Sequence, residues 1–156
     1  MSKSLKRVIA ALEAAGVEAA AMEMAAETRT AQQAADAAGC ALDQIAKSII
    51  FQGEVSGEIV LFLTAGGNQV DPAKASALAG EALGRADADA VRAHTGFAIG
   101  GVSPVGHLNP VRSFMDPRLL EFDRIFAAAG TPRHIFPIAP ETLREITGAD
   151  VSAFTA

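Results

Sequence analysis

Tryptophan and tyrosine are absent from this 156-residue chain, cysteine occurs once, and basic side chains are outnumbered by acidic ones, thirteen to eighteen. Each scarcity removes a class of function. A lone Cys40 cannot form an internal disulfide, so no disulfide framework holds this fold. Without Trp and Tyr the commonest base-stacking side chains are missing, leaving Phe and His for that work. The net charge of −5 excludes the broad basic footprint by which proteins grip DNA or RNA phosphates, so any RNA contact has to be local and no DNA partner is expected. No apolar run approaches the roughly 20 residues of a membrane-spanning helix, and the best, Ile59 to Leu63, is strand-sized. The opening Met1-Ser2-Lys3-Ser4 lacks the apolar stretch of a secretory signal, so a cytoplasmic protein is expected.

What is present is enough for a core. Half of the residues are apolar and a fifth are charged, a balance that suits one folded domain over residues 1–156. Leu5, Val8, Ile9 and Leu12 recur at helical spacing between Ser4 and Gly16, predicting an amphipathic helix. An extended stretch follows from Val17 to Met24. Thr30 and Gln33 then stand three apart, the pattern of a capping box, and Gly39 closes a short helix. Asp43 is expected to cap one more turn, ahead of a strand at Lys47 to Phe51.

Gly53 and Gly57 bracket a hairpin into Glu58 to Thr64, which is apolar on both faces as a central strand is. Asp71-Pro72 predicts a capped helix, and Asp87 or Asp89 starts another that ends near Thr95-Gly96. Val111 to Met115, Arg124 to Ala128 and Ile135 to Ile138 read as strands, the last two joined through Gly130-Thr131-Pro132, and Glu141 to Thr147 as a final helix. Strands both adjoin as hairpins and interleave with helices, so the fold class is α/β of the α+β kind with a mixed sheet.

Two features could carry chemistry. Side chains alternate across a strand, which puts Lys47 on the face of Ile45, Ile49 and Phe51. A cation there is kept either at an exposed strand end or because something anionic meets it. The second feature is the segment Thr95 to His107, with four glycines and Pro104. Such a loop is a structural turn, or it presents N–H groups to an anion, whether a phosphate or a carbonyl oxygen under attack. It is neither a Walker loop nor a GxGxxG fingerprint.

Ile45-Ala46-Lys47-Ser48-Ile49-Ile50-Phe51, followed about fifty residues on by Thr95-Gly96 and Gly100-Gly101-Val102-Ser103-Pro104-Val105-Gly106, resembles the YbaK and prolyl-tRNA-synthetase-associated (ProX-like) editing family. The resemblance runs from Thr28-Arg29-Thr30-Ala31 through Ala129-Gly130 to Pro140-Glu141-Thr142-Leu143. It implies a largely antiparallel, barrel-like sheet among helices. It also implies a free-standing deacylase that hydrolyses the ester of a small misattached amino acid on tRNA, usually tRNA for proline, without metal or cofactor. A prolyl-tRNA synthetase or another synthetase is the further partner it suggests. Lys47 maps to the essential lysine of the family, and Gly100 through Pro104 to its Gly-x-x-x-Pro loop, with Gly100 and Gly101 holding the carbonyl oxygen. Thr28, Thr30, Ser48, Val102, Ser103, Pro104 and His107 are the expected substrate-binding residues.

Several of these have plainer roles beside the functional one. Thr30 caps a helix, Ser48 packs on the opposite sheet face, and His107 caps a turn. His94, at a helix end, suits the dipole. His94, His107, His134 and Cys40 show no paired spacing for a metal, and Cys40 reads as a small packed thiol. Where some relatives carry an acidic residue in the late hairpin, this chain reads Arg133-His134-Ile135-Phe136, so that role is not carried over. The rival function is a non-catalytic module that binds tRNA ends or nucleotides beside a synthetase.

Overall fold

A computed structural model describes residues 2–18 and 20–156; Met1 and Ala19, the latter within the expected extended stretch, lie outside the described residues. Helix α1 (Lys3–Ala14) starts two residues before its expected onset, because Ser2 rather than Ser4 accepts the Leu5 amide at 3.1 Å. Strand β1 is short (Met22–Glu23), and α2 (Ala31–Ala38) has both halves of its capping box in place, with Gly39 left-handed at its end. A 3₁₀ turn (Leu42–Gln44) leads into β2 (Ile45–Gly53), which turns back into β3 (Ile59–Ala65). Then come α3 (Pro72–Ala79), β4 (Leu83–Arg85), α4 (Ala88–Thr95) and β5 (Arg112–Met115). A second 3₁₀ turn (Pro117–Glu121), β6 (Ile125–Thr131), β7 (His134–Ile138), α5 (Pro140–Thr147) and β8 (Asp150–Val151) complete the chain.

Asp87, not Asp89, caps α4. Asp43 caps nothing: it lies inside the first 3₁₀ turn, and its carboxylate accepts from the Gly67 amide at 2.8 Å and Arg118 Nε at 3.0 Å. Those stronger, charge-assisted partners come from elsewhere in the chain and outcompete a local cap. Strands β1, β4 and β8 are too short to carry a periodic signal and exist through pairing alone.

The strands form one mixed sheet in the order β1-β7-β6-β2-β3-β5-β8, with β4 branching from β2. Four pairings are antiparallel, the two longest ladders β2–β3 and β6–β7 among them, and three are parallel, so the sheet is mixed and largely antiparallel as expected. Parallel neighbours need a crossover, and α3 with α4 supplies one between β3 and β5. The ends β1 and β8 are not paired with each other among the described residues, so backbone hydrogen bonds do not close a barrel.

β3 is buried at every position, as its two-sided apolar pattern predicts. Ile59, Leu61, Leu63 and Ala65 join Leu5, Val8 and Leu12 of α1 and Leu143 of α5 in the main core. On the other face two smaller clusters form. Ile45 packs with Met24, Ala34, Ala35, Phe126 and Ile135, while Ile49 and Phe51 pack with Val60, Phe62, Phe114 and Phe154. Lys47 stands between them on that face. Gly106 lets the glycine-rich loop lie on α1, since a Cβ there would come within 3.1 Å of the Arg7 carbonyl oxygen at a φ of +81°.

Phe62 centres the third cluster, stacked on Phe114 at 5.2 Å and edge-on to Phe154 and Phe51 at 5.0 and 5.7 Å. Phe62→Ala is expected to lower stability by about 3–5 kcal/mol, the usual range for a buried phenyl ring. Urea unfolding measures it; a change under about 1 kcal/mol would mean that this cluster collapses freely around the void.

Candidate active site

The site begins as a discontinuity in the sheet. One edge of β2 pairs with β3 from Ala46 to Gln52. The other is shared: β6 takes Ile45 and Ala46, and β4 takes Phe51 to Gly53. Lys47 to Ile50 therefore have no strand neighbour on that side among the described residues. A cavity of about 290 Å³ opens there. Lys47, Ser48 and Ile49 of β2, Ala128 and Thr131 of β6, His134 of β7, the Thr28 to Ala31 segment, and Gly100, Gly101 and Val102 line it.

Lys47 is half-buried, and its Nζ donates to the Asn68 carbonyl at 2.6 Å. Among the described residues no carboxylate stands within ion-pairing distance of it. Burial lowers its pKa below the ordinary lysine value, and the charges of Asp116 and then Asp43 work against that shift. An ammonium carries three N–H donors, so one bond to Asn68 leaves two for a ligand.

The glycine-rich loop is anchored from behind. Arg7 of α1 donates from Nη2 to the Gly96 carbonyl at 2.5 Å and from Nε to that of Gly106 at 3.4 Å, with its guanidinium 4.8 Å from the Phe97 ring centre. Buried Thr95 donates to the Val91 carbonyl at 2.7 Å, ending α4. Gly100 takes a φ of +89°, and a Cβ there would meet nothing within 4 Å, so its freedom serves the backbone path rather than a close neighbour. The Gly101 amide donates to the Ala98 carbonyl at 3.0 Å. It is occupied, contrary to the expectation that it faces a carbonyl oxygen. The amides of Gly100 and Val102 have no hydrogen-bond partner among the described residues.

Of the expected substrate-binding residues, Thr28, Thr30, Ser48 and Val102 line the cavity. Thr28 ties the segment before α2 to the β6–β7 turn, its amide and hydroxyl both donating to the Pro132 carbonyl at 2.7 and 3.1 Å. Thr30 caps α2. The Ser48 hydroxyl is shielded from solvent and lacks a partner among the described residues. Ser103, Pro104 and His107 do not line the cavity. Ser103 and Pro104 are buried in the loop's rear, where Ser103 Oγ accepts the Val105 amide at 3.3 Å. His107 Nε2 donates to the Ser103 carbonyl at 2.6 Å and its ring meets Phe97 edge-on.

Arg29, Thr131 and His134 are polar lining residues that sequence reasoning did not assign to the site. Thr131 Oγ1 and His134 Nδ1 are 2.6 Å apart, and the Arg133 amide donates to the same hydroxyl at 3.2 Å. The departure noted at Arg133-His134 was the available signal. His94 bonds the Pro110 carbonyl, away from the cavity. Cys40 packs beside the second cluster, where burial raises its thiol pKa. Among the described residues no group of three or more His, Cys, Asp and Glu could hold a metal, and no helix is long and apolar enough to cross a membrane.

Burial pushes the His107 pKa below its ordinary value; the bond to Ser103 opposes the shift and the charge of His94 adds to it. The unfolded chain therefore takes up a proton near pH 6.5 that the folded chain refuses. This contribution to stability is complete above that pH and is lost as pH falls through the window beneath it. Urea unfolding at pH 7.5 and 5.5 should show a smaller loss in His107→Gln, which keeps an N–H donor, than in the native protein. Equal losses would remove His107 as the source.

The aminoacyl-tRNA editing domain family matches residues 25–146. YwhH of Bacillus subtilis (strain 168), itself uncharacterized, is 30% identical over 129 residues, covering 83% of this chain and 82% of its own. A solved structure assigned provisionally as a trans-editing enzyme for prolyl tRNA synthetase is 44% identical and superposes with a TM-score of 0.93 over 100% of this chain and 99% of its own. The hypothetical protein APE2540 superposes with a TM-score of 0.87 at 26% identity, over 96% and 99% of the two chains. With the family's region spanning most of the fold just described, cavity included, this chain belongs to the aminoacyl-tRNA editing domain family.

Proposed function

We propose that this protein is a trans-acting aminoacyl-tRNA deacylase, a hydrolase that cleaves the ester between a small, wrong amino acid and the terminal ribose of a tRNA, with tRNA for proline the first candidate. The observation that carries the reading is that one small cavity is lined by Lys47, whose ammonium has donors to spare, and by Gly100 and Val102, whose amides have no hydrogen-bond partner among the described residues. The trans-acting form and the proline tRNA rest on the 44% identity, over the whole chain, to the structure so assigned. A cytoplasmic location and an association with a prolyl-tRNA synthetase follow from the same reading.

Ester hydrolysis adds water to the carbonyl carbon, places negative charge on the carbonyl oxygen, and then breaks the bond to the ribose oxygen, which leaves with a proton. Amides already aimed at the developing charge lower the barrier without reorganising. Gly100 and Val102 have that role, with Gly101 shaping the turn between them. Lys47 orients the ribose end or balances the oxyanion and does not attack. The neighbouring ribose hydroxyl relays the proton, taking one from the attacking water as it gives its own to the leaving ribose oxygen, and His134 lines the same cavity. Thr28, Thr30 and Ser48 bound the acyl pocket, while Ser103, Pro104 and His107 act through the loop they support. Water is the one co-reactant this scheme uses, so it calls for no metal or cofactor.

The rival is a non-catalytic module that holds a tRNA end or nucleotide, for which an ammonium and free amides would also serve. A panel of alanyl-, seryl-, threonyl- and cysteinyl-tRNA separates the two. At least one member should be deacylated by the native protein, and Lys47→Ala should lose about 10²–10³-fold in kcat, the effect expected for removing one group that stabilises developing charge. Binding without turnover across the panel would hand the site to the rival.

The ribose hydroxyl has its own test. A substrate ending in 2′-deoxyadenosine should be hydrolysed about 10²-fold more slowly or worse if that hydroxyl relays the proton. Undiminished turnover would move the proton transfer to another group, with His134→Ala the next variant to assay.

A further inference from the structure

Asp116 stands at the start of the second 3₁₀ turn, with 2% of its surface exposed. Capping that turn uses one oxygen, Oδ1, which accepts the Arg118 amide at 2.9 Å. An asparagine or serine would cap as well. The other oxygen reaches across the fold, accepting the Ala65 amide at 3.1 Å and Asn68 Nδ2 at 2.9 Å. Asn68 is the residue whose carbonyl receives the Lys47 ammonium.

We propose that Asp116 is a positioning residue of the site: through the Asn68 side chain it fixes the loop whose backbone carbonyl holds the Lys47 ammonium at the cavity. Its effect on rate rests on the deacylase reading; the geometry does not. The loop is braced on its other side as well. The Gly67 amide donates to Asp43, whose second oxygen accepts from Arg118, and Cβ atoms at Gly66 and Gly67 would run into the Leu42 carbonyl oxygen and Asp43 Oδ1 at 2.2 and 2.5 Å. Two carboxylates thus hold the loop and neither holds the lysine. A lysine stem is flexible, and a fixed neutral acceptor orients its ammonium without cancelling its charge.

The charged and titratable groups around Lys47 are Asp43 and Asp116 beneath it, Arg118 beyond Asp43, and Arg29 and His134 at the cavity wall. Two variants separate tether from charge. Asn68→Ala keeps the backbone carbonyl and cuts the side-chain tether; Asp116→Asn keeps the shape and removes the charge. Both are compared with the native protein by NMR of its lysine ammonium groups and by kinetics on the fastest substrate of the panel. In the native protein the Lys47 N–H signals should exchange slowly with water, and in both variants that protection should be lost. kcat should fall about 10²-fold, the scale of a misplacement near 1 Å, while KM stays within about threefold. Only in Asp116→Asn should the alkaline limb of the rate profile also move to lower pH, because that carboxylate favours the charged lysine.

Unchanged Lys47 signals in Asn68→Ala would overturn the proposal even if its melting temperature fell, since a merely structural role moves stability and leaves the ammonium alone. Should Asp116→Asn fail to fold, Asn68→Ala alone decides. If the native protein deacylates no panel member, the deacylase reading falls, and the NMR comparison still settles the positioning role.

Discussion

Lys47 stands between Ile45 and Ile49 on a sheet face that is otherwise apolar, and removing an ammonium from water without compensation costs several kcal/mol, roughly. A carboxylate directly opposite would repay that cost most simply. The protein instead supplies a backbone carbonyl at 2.6 Å and keeps Asp43 and Asp116 at one remove. The cation stays charged and retains spare donors, which a closed ion pair would not allow. The two apolar clusters on that face stop short of each other because this polar network separates them.

The cavity needs a second condition, which is the sharing of one β2 edge between β6 and β4. Had β6 followed β2 further, backbone pairing would have filled the space that now borders Lys47 to Ile50. The opposite wall is a loop held at both ends by Arg7, so α1 serves the site although none of its residues lines it. Buried Ser103 and half-buried His107 stiffen the loop from the rear. Preorganisation of free amides depends on such backing, because a loop that moves to meet a charge loses much of the benefit.

Much of this was legible before any coordinates. Local rules fixed on short segments held: the Thr30–Gln33 capping box, the Asp71-Pro72 start, and the two-sided burial of β3. The alternation that singled out Lys47 also held, and the loop that the family resemblance paired with it lines the same cavity. Failures arose wherever the deciding partner was distant in sequence. Asp43 resembles a cap until Gly67 and Arg118 arrive, and β4 exists only because β2 needs an edge partner. The nearness of His134 to the cavity and of Asp116 to the Asn68 loop is hidden from local pattern for the same reason, although the departure at Arg133-His134 marked the first. Their neighbours β6 and β5 reach β2 and β3 through parallel pairings that no local pattern encodes.

A chain with a net charge of −5 and neither Trp nor Tyr gains little from the phosphate attraction and base stacking that dominate most RNA binding. On the deacylase reading, this weakness suits the task. Correctly charged tRNA vastly outnumbers mischarged tRNA, and uniform affinity for both would hold the protein on the wrong majority. Affinity spent on the transition state raises kcat, whereas affinity for the ground state alone does not. The donors that matter are accordingly few: one oriented ammonium and two amides of residues that line a cavity of about 290 Å³. β2 and the glycine-rich loop that border this cavity are both braced, so its donors are placed before a ligand arrives.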